Sequence, residues 1–280
     1  MSLMATSSQP WRAMTDAFVA ELMAAREARK PFAVVTVAAT TGSVPRAAGS
    51  KMLVYADNKT SGTIGGGKFE SLVAADALAS LRERKPSLKS YPLREGEADS
   101  FGAICGGEVT VLIEPQAVSE AIFLIGGGHC SHAIARLALE CGLFVTVIDD
   151  RAELLADLPP RVTRVSDISP VDFIASHQWQ SDEGLVIVSR NHEIDREALA
   201  VAVEQTGAGY IGMIGSRRKV HHVFDRLRER GVASEKLSRV YAPLGLDIGA
   251  DSPAEIAVST IAEIFAVLRQ RPATNLRLAH

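Results

Sequence analysis

Apolar residues along this chain change period several times, and each change predicts an element. Between Met14 and Arg29, Phe18, Leu22 and Met23 recur among alanines at helical spacing. Pro31 ends that helix, and Phe32 to Val37 is a run of Phe and Val that predicts a strand. Lys51 to Tyr55 predicts a second strand. Lys68 to Arg84 returns to helical spacing, with Phe69, Leu72, Val73, Leu78 and Leu81 expected on its buried stripe. A polar stretch follows, and Glu108 to Ile113 is read as the next strand. Pro115 and the short segment after it mark the expected domain boundary.

From Ala121 onward the pattern tightens. The apolar run Ile122 to Ile125 meets three glycines, then an apolar-periodic helix, then a second run, Leu143 to Ile148, ending in Asp149 and Asp150. Strand, glycine turn, helix, strand and acid in this order predict the opening βαβ of a dinucleotide-binding fold. Gly126 would allow the tight turn, Gly128 would let a pyrophosphate approach the backbone, and the helix N-terminus would offer N–H groups. Asp149 stands where an acid can reach a ribose hydroxyl. Ser131 replaces the third glycine of the pattern, so helix and strand are expected to pack slightly further apart.

Arg161 to Val165, Gly184 to Ser189 and Tyr210 to Ile214 predict further strands, with helical patterns at Asp195 to Glu204 and Lys219 to Gly231. Ser252-Pro253-Ala254-Glu255 is a capping box that assigns Glu255 a structural role. It opens a helix running to Leu268, with Ile256, Val258, Ile261, Ile264 and Phe265 expected to close the fold or a dimer interface. The predicted class is α/β: a small N-terminal α/β domain over residues 13–116, then a Rossmann-like parallel-sheet domain over 117–272.

Composition narrows the function classes. The 280 residues are 47% hydrophobic and 22% charged, which suits two ordinary cores. A formal net charge of −3 argues against nucleic acid or an anionic membrane as a general partner. No apolar run approaches a membrane span and no signal peptide opens the sequence, so the expected compartment is the cytoplasm. Three cysteines, Cys105, Cys130 and Cys141, lack CxxC spacing and predict neither a disulfide framework nor a zinc site.

The candidate chemistry lies in glycine-rich loops. Thr40 to Gly49, Ser61 to Gly67 and Phe101 to Gly107 each flank a strand of the first half. Such clusters mark backbone that must bend sharply or approach a ligand closely. Arg46 and Lys51 put positive charge beside them, as an anionic phosphate or a pterin dithiolene requires. The alternative is a small domain with ordinary glycine turns and solvated basic side chains. Cys105, between Gly102 and Gly106-Gly107, is the leading candidate for a reactive thiolate, with a buried packing cysteine as the alternative. Cys141 ends the helix after Ser131 at an apolar position and is read as a packing residue.

In the second half, His129 is expected to line the mouth above the strand ends. His129, Cys130 and His132 do not share one side of a helix start and are not read as a metal site. Ser216 is a natural N-cap. The cations Arg217, Arg218 and Lys219 that follow oppose the helix dipole, which suggests a nearby anion unless they simply point into solvent. Arg190-Asn191-His192 follows a strand end, and Asp247 sits on a glycine-rich loop that capping does not explain.

Taken in order, Gly42-Ser43-x-Pro45-Arg46, Gly62-Thr63-Ile64-Gly65-Gly66-Gly67-x-x-Glu70, Cys105-Gly106-Gly107, the Gly-x-Gly-His turn, Ile211 to Lys219 and Gly245 to Ala250 resemble the xanthine dehydrogenase accessory factors, the XdhC and CoxI family. The resemblance runs from about residue 15 to 270. It implies a maturation factor for molybdenum hydroxylases that is a non-catalytic carrier rather than an enzyme. Such proteins bind the molybdenum cofactor (molybdopterin or its cytosine dinucleotide), protect it, present it to a cysteine desulfurase for sulfuration, and insert it into the hydroxylase apoenzyme.

The residues named as cofactor-binding, from these readings and the resemblance together, are Gly42, Ser43, Arg46, Lys51, Gly65, Gly66, Gly67, Glu70, Gly106 and Gly107. In the second domain they are Gly126, Gly128, His129, Asp149, Ser216, Arg217, Arg218 and Asp247, with Cys105 as the reactive group. Two alternatives remain open: an NAD(P)-dependent oxidoreductase, supported by the βαβ unit and Asp149, and a nucleotide-sensing regulatory protein. A homodimer is the expected assembly.

Overall fold

The computed structural model describes residues 15–93, 106–116, 120–189, 191–205 and 207–276. The chain divides into two units, residues 1–118 and 119–280.

The first unit is built on an antiparallel sheet. Its strands are β1 (Phe32–Thr41), β2 (Lys51–Tyr55), β3 (Thr60–Gly62), β4 (Ser87–Pro92) and β5 (Glu108–Gln116), in the order β3-β2-β1-β5-β4. Side-chain alternation gives the sheet two faces. Ala33, Val35, Val37, Met52 and Val54 pack with Val109, Val111 and Ile113 beneath helix α2 (Gly67–Glu83). Phe32 and Leu53 pack on the other face with Phe18 and Ala25 of helix α1 (Asp16–Glu27).

The apolar stripes are narrower than their spacing predicts. Phe69, Val73, Ala74 and Ala77 are buried on α2, whereas Leu72 is exposed, as is Met23 on α1. The stretch read as merely polar contains β4. It is an edge strand with a mostly exposed surface, Leu88 included, so nothing in its composition marks it. Strand β5 continues through Pro115 because β4 pairs only as far as Ile113, leaving that side of β5 free where proline lacks its N–H.

The second unit is a parallel sheet of β6 (Ala121–Ile125), β7 (Phe144–Ile148), β8 (Thr163–Val165), β9 (Glu183–Ile187), β10 (Tyr210–Met213) and β11 (Val240–Tyr241). Their order is β11-β10-β9-β6-β7-β8, the doubly wound arrangement that reverses between its first and fourth strands. β6 is buried at every residue, as a strand covered on both faces must be. One face carries α3 (His129–Glu140) and α8 (Pro253–Leu268), with Ile134, Ala138, Ala257, Ile261 and Ile264 against Ile122 and Leu124. The other carries α4 (Pro170–Ser176), α5 (His192–Ala202), α6 (Arg217–Glu229) and the single turn α7 (Ser234–Leu237) over Phe123 and Ile125.

α8 closes this fold from its capping box onward, with Ser252 Oγ accepting from Glu255 N and Glu255 from Ser252 N, although Val258 faces out at 52% exposure. One reading is overturned: Cys141 is the C-cap of α3 and is exposed, so it packs nothing.

Ser131 is fully buried in the first turn of α3, and its hydroxyl finds no partner among the described residues. An unmet buried hydroxyl costs roughly 1–3 kcal/mol, more than the small contacts of its oxygen return. Ser131→Ala is therefore expected to hold or raise the thermal midpoint, by up to roughly 2–4 °C for a domain of this size. A clear fall in that midpoint by calorimetry would contradict this account of the third-glycine position.

Candidate functional site

The three glycine motifs of the first unit meet at one end of its sheet. Where β1 leaves at Thr41 and β5 enters at Glu108, Ser43 and Gly106 form an isolated parallel bridge. Gly106 N–H donates to Leu93 O at 3.0 Å, and Leu93 N–H to Gly107 O at 2.8 Å. A Cβ at Gly107 would lie 2.4 Å from the carbonyl oxygens of Thr41 and Ser43, and one at Gly42 would lie 3.0 Å from Gly107 Cα. A Cβ at Gly65 would fall 2.6 Å from Pro45 Cγ, at a backbone angle (φ +148°) that side chains rarely adopt. These glycines are dictated by loop against loop. Gly66, Gly67 and Gly106 differ, because a Cβ on each would meet nothing within 4 Å. Open space lies beside these three positions, although the Gly66 and Gly106 amides already donate to Glu70 and to Leu93 O.

Arg46 stands exposed on the first loop with no hydrogen bond or ion pair among the described residues. Lys51 is engaged on the sheet, donating to Thr36 Oγ1 at 2.8 Å. Glu70 reaches back from the first turn of α2 into the second loop. Its Oε1 accepts from Ile64 N at 2.9 Å, Gly65 N at 3.1 Å, Gly66 N at 2.8 Å and the Thr63 hydroxyl. Burial pushes its carboxyl up, but these hydrogen bonds outweigh it and hold the group below the ordinary carboxylate range. Cys105, next in sequence to Gly106, lies outside the described residues.

The second unit has its own glycine turn at the strand-order reversal, where doubly wound sheets bind ligands. Gly126 follows β6 so closely against β9 that a Cβ would lie 2.5 Å from Val188 O. Gly128 is the N-cap of α3 and is open, with His129 exposed beside it. His132 faces Leu154 O at 2.8 Å, and burial pushes the Cys130 thiol up.

Asp149 does stand at the end of β7, but its carboxylate is filled from within. Oδ2 accepts from Gly127 N at 2.7 Å and Arg151 Nη2 at 2.9 Å, while Oδ1 accepts from Arg151 N at 3.0 Å and Nε at 2.9 Å. Four donors use the acceptor capacity of one carboxylate. Of this pair Arg151 is the more accessible member, with its side chain 35% exposed.

On the far side of the reversal, Ser216 caps α6 by accepting from Lys219 N. Arg217 and Arg218 are exposed, with no ion pair among the described residues. Lys219 parts from them and donates to Asp195 Oδ2 at 2.5 Å, while Asp195 Oδ1 accepts from Ser189 N at 3.2 Å. Asn191 caps α5 by accepting from Glu193 N and Ile194 N, and Arg190 lies outside the described residues. Asp247 is exposed on the segment before α8. That segment is held by buried Glu263, which accepts from Gly245 N at 2.9 Å and Tyr210 Oη at 2.5 Å.

Sequence reasoning missed Arg151, Asp195 and Glu263. Glu263 had a usable signal, being one acid inside the apolar run Ile256 to Leu268, where burial demands a partner. Among the described residues no three His, Cys, Asp or Glu side chains gather as a metal site.

Two glycines test whether packing or openness explains the motifs. Gly107→Ala drives a methyl into two carbonyl oxygens and should cost at least about 2 kcal/mol in urea unfolding. Gly128→Ala places its methyl in open space and should cost less than about 1 kcal/mol, the usual N-cap difference. Equal costs would remove the loop-against-loop explanation.

The XdhC Rossmann domain family matches residues 122–264, and the XdhC and CoxI family matches residues 25–92. The Escherichia coli (strain K12) protein YqeB, itself uncharacterized, is 38% identical over 244 residues, covering 86% of this chain and 44% of that protein. A Bacillus subtilis (strain 168) protein named as a probable xanthine dehydrogenase component is 29% identical over 154 residues, covering 55% of this chain and 43% of that one. The chain thus spans less than half the length of these two relatives. The molybdenum cofactor insertion chaperone PaoD of Escherichia coli (strain K12) is 24% identical over 267 residues, covering 84% of this chain and 82% of its own. A crystal structure described as a xanthine dehydrogenase from Bacillus halodurans covers 94% of this chain and 98% of its own, at 20% identity and a TM-score of 0.49. By the two family matches the chain belongs to the XdhC and CoxI family.

Proposed function

We propose that this chain is a maturation factor that carries the molybdenum cofactor to a xanthine dehydrogenase-type hydroxylase. The observation that carries the reading is the convergence of the glycine motifs at one sheet end, where positions 66, 67 and 106 leave open space beside the backbone. Beside them stands Arg46, unpaired among the described residues. Phosphate and pterin amides are recognised by such backbone groups together with a guanidinium. Membership of the family and the insertion chaperone among its relatives point the same way.

In this reading Cys105 supplies a thiolate next in sequence to the open Gly106. It holds molybdenum or takes part in sulfur delivery while the bound cofactor is presented to a cysteine desulfurase. The cofactor, mononucleotide or cytosine dinucleotide, is shielded until the apoenzyme accepts it. The setting is the cytoplasm, and the carrier works as a homodimer.

A second reading concerns the other unit, and the Asp149–Arg151 pair favours it in one form only. A nucleotide held at the Gly126–Gly128 turn would meet Arg151 rather than a free carboxylate at the end of β7. That suits a phosphate at the ribose edge better than a bare diol. NADP would then bind and NAD would not.

Purified from a host that makes molybdopterin, the chain should hold about one pterin per protomer, read as fluorescence after oxidation and not displaced by NAD. Cys105→Ser should keep its thermal midpoint and lose most of that pterin, or most activation of the hydroxylase. Cys141→Ser, at an exposed cap, should change neither by more than about 0.5 kcal/mol or its equivalent. A Cys105→Ser protein that retains cofactor and activates its partner like wild type would end the thiol's role. Absence of pterin from wild type would end the carrier reading.

A further inference from the structure

The Glu70 carboxylate does something unusual with the loop it faces. Three successive amides, Ile64, Gly65 and Gly66, point at one oxygen, and the Thr63 hydroxyl adds a fourth donor. Successive N–H groups turned to a common point form a concavity that binds anions. Here the anion is the chain's own side chain, delivered from the first turn of α2, where negative charge also suits the helix dipole. The capping box of α8 shows the ordinary solution, in which Glu255 reaches only Asp251 and Ser252 N–H. Glu70 reaches further out, and the loop it gathers is wedged on both sides. Ile64 is fully buried in the core with Phe69, and Gly65 lies against Pro45 of the first loop, next to Arg46.

We propose that Glu70 is a positioning residue for cargo binding, filling the loop's anion nest itself so that the cargo's charge falls to Arg46 and the open backbone beyond. The proposal rests on the carrier reading of this unit. The Ile64, Gly65 and Gly66 amides are spent on Glu70 and are not offered to a ligand phosphate. Their service is to fix the loop, and through the Gly65–Pro45 contact to fix where Arg46 stands. The opposite arrangement would have Glu70 swing aside and a cargo phosphate take its place. The two arrangements differ in sign when the carboxylate is removed.

The test compares wild type, Glu70→Ala and Glu70→Gln for pterin retained on purification and for uptake of released molybdenum cofactor in equilibrium dialysis. Positioning predicts that Glu70→Ala retains at least tenfold less cofactor, and that millimolar formate, a small carboxylate able to enter the vacated nest, restores most of it. Glu70→Gln, which keeps an acceptor oxygen in place but loses the charge, should lower the thermal midpoint less than Glu70→Ala and stay within about threefold of wild type in cofactor retained. A purely structural glutamate would shift the midpoint and leave the cofactor retained per folded protein, with or without formate, as in wild type. Glu70→Ala that binds cofactor equally or more tightly overturns the proposal, as would Glu70→Gln binding more tightly than wild type if the alanine variant fails to fold. If wild type itself holds no cofactor, the carrier reading fails and takes the proposal with it. If wild type holds it and the variants match, the proposal fails alone.

Discussion

A backbone amide left without an acceptor is the constraint around which both units are organised. Glycine-rich turns let loops and strand ends approach closely, but they also bare N–H groups that neither helix nor sheet can satisfy. In this chain acidic side chains answer them. Glu70 takes Ile64, Gly65 and Gly66, Asp149 takes Gly127, Asp195 takes Ser189, and Glu263 takes Gly245. Charge-assisted bonds of this kind are about twice as strong as neutral ones. Two of these carboxylates are themselves balanced by a cation, Arg151 for Asp149 and Lys219 for Asp195, so the turns they serve are backed by an electrostatic clamp.

The clamps explain why apparently functional residues divide into two kinds. Asp149 and Glu70, acids beside glycines that read as ligand contacts, have both oxygens and one oxygen respectively occupied by the chain itself, whereas Asp247 is exposed. The cations Arg46, Arg217 and Arg218 are exposed without an ion pair among the described residues. The glycines divide likewise. Gly107, Gly65 and Gly126 are small because other backbone or side chain presses on them, whereas Gly66, Gly67, Gly106 and Gly128 face open space. A glycine motif therefore mixes positions kept for packing with positions that leave backbone accessible, and only the second kind bears on ligand approach.

How much of this was legible follows from range. The β6–α3–β7 unit was readable because an interior parallel strand is apolar at every residue and its glycine turn is local in sequence. The edge strand β4 was not, since one paired side and a solvated surface leave it polar, and the seven-residue α4 is too short to show a period. Cys141 looked like core because it follows an apolar stripe, yet it is the C-cap one residue past the end of the helix and is exposed there. The candidate site was legible as an excess of glycine and basic residues. Its contacts were not, because Gly42 meets Gly107 and Pro45 meets Gly65 only after the sheet has brought distant segments to one end.

Asp149 shows why a motif read correctly as fold can mislead as chemistry. Its place at the end of β7 follows from strand length and the parallel crossover, and the structure puts it there. Whether an acid at that place meets a ribose depends on what else competes for its oxygens. Arg151, two residues on, curls back and takes three of the four bonds, and Gly127 takes the last. The short spacing makes this competition local and strong, since a guanidinium fork and a carboxylate match in geometry. A ligand diol would have to break an ion pair whose carboxylate is almost wholly buried, an exchange far costlier than binding to a carboxylate already open to water. The doubly wound sheet thus places the acid, while the identity of one neighbouring residue decides whether its oxygens are free.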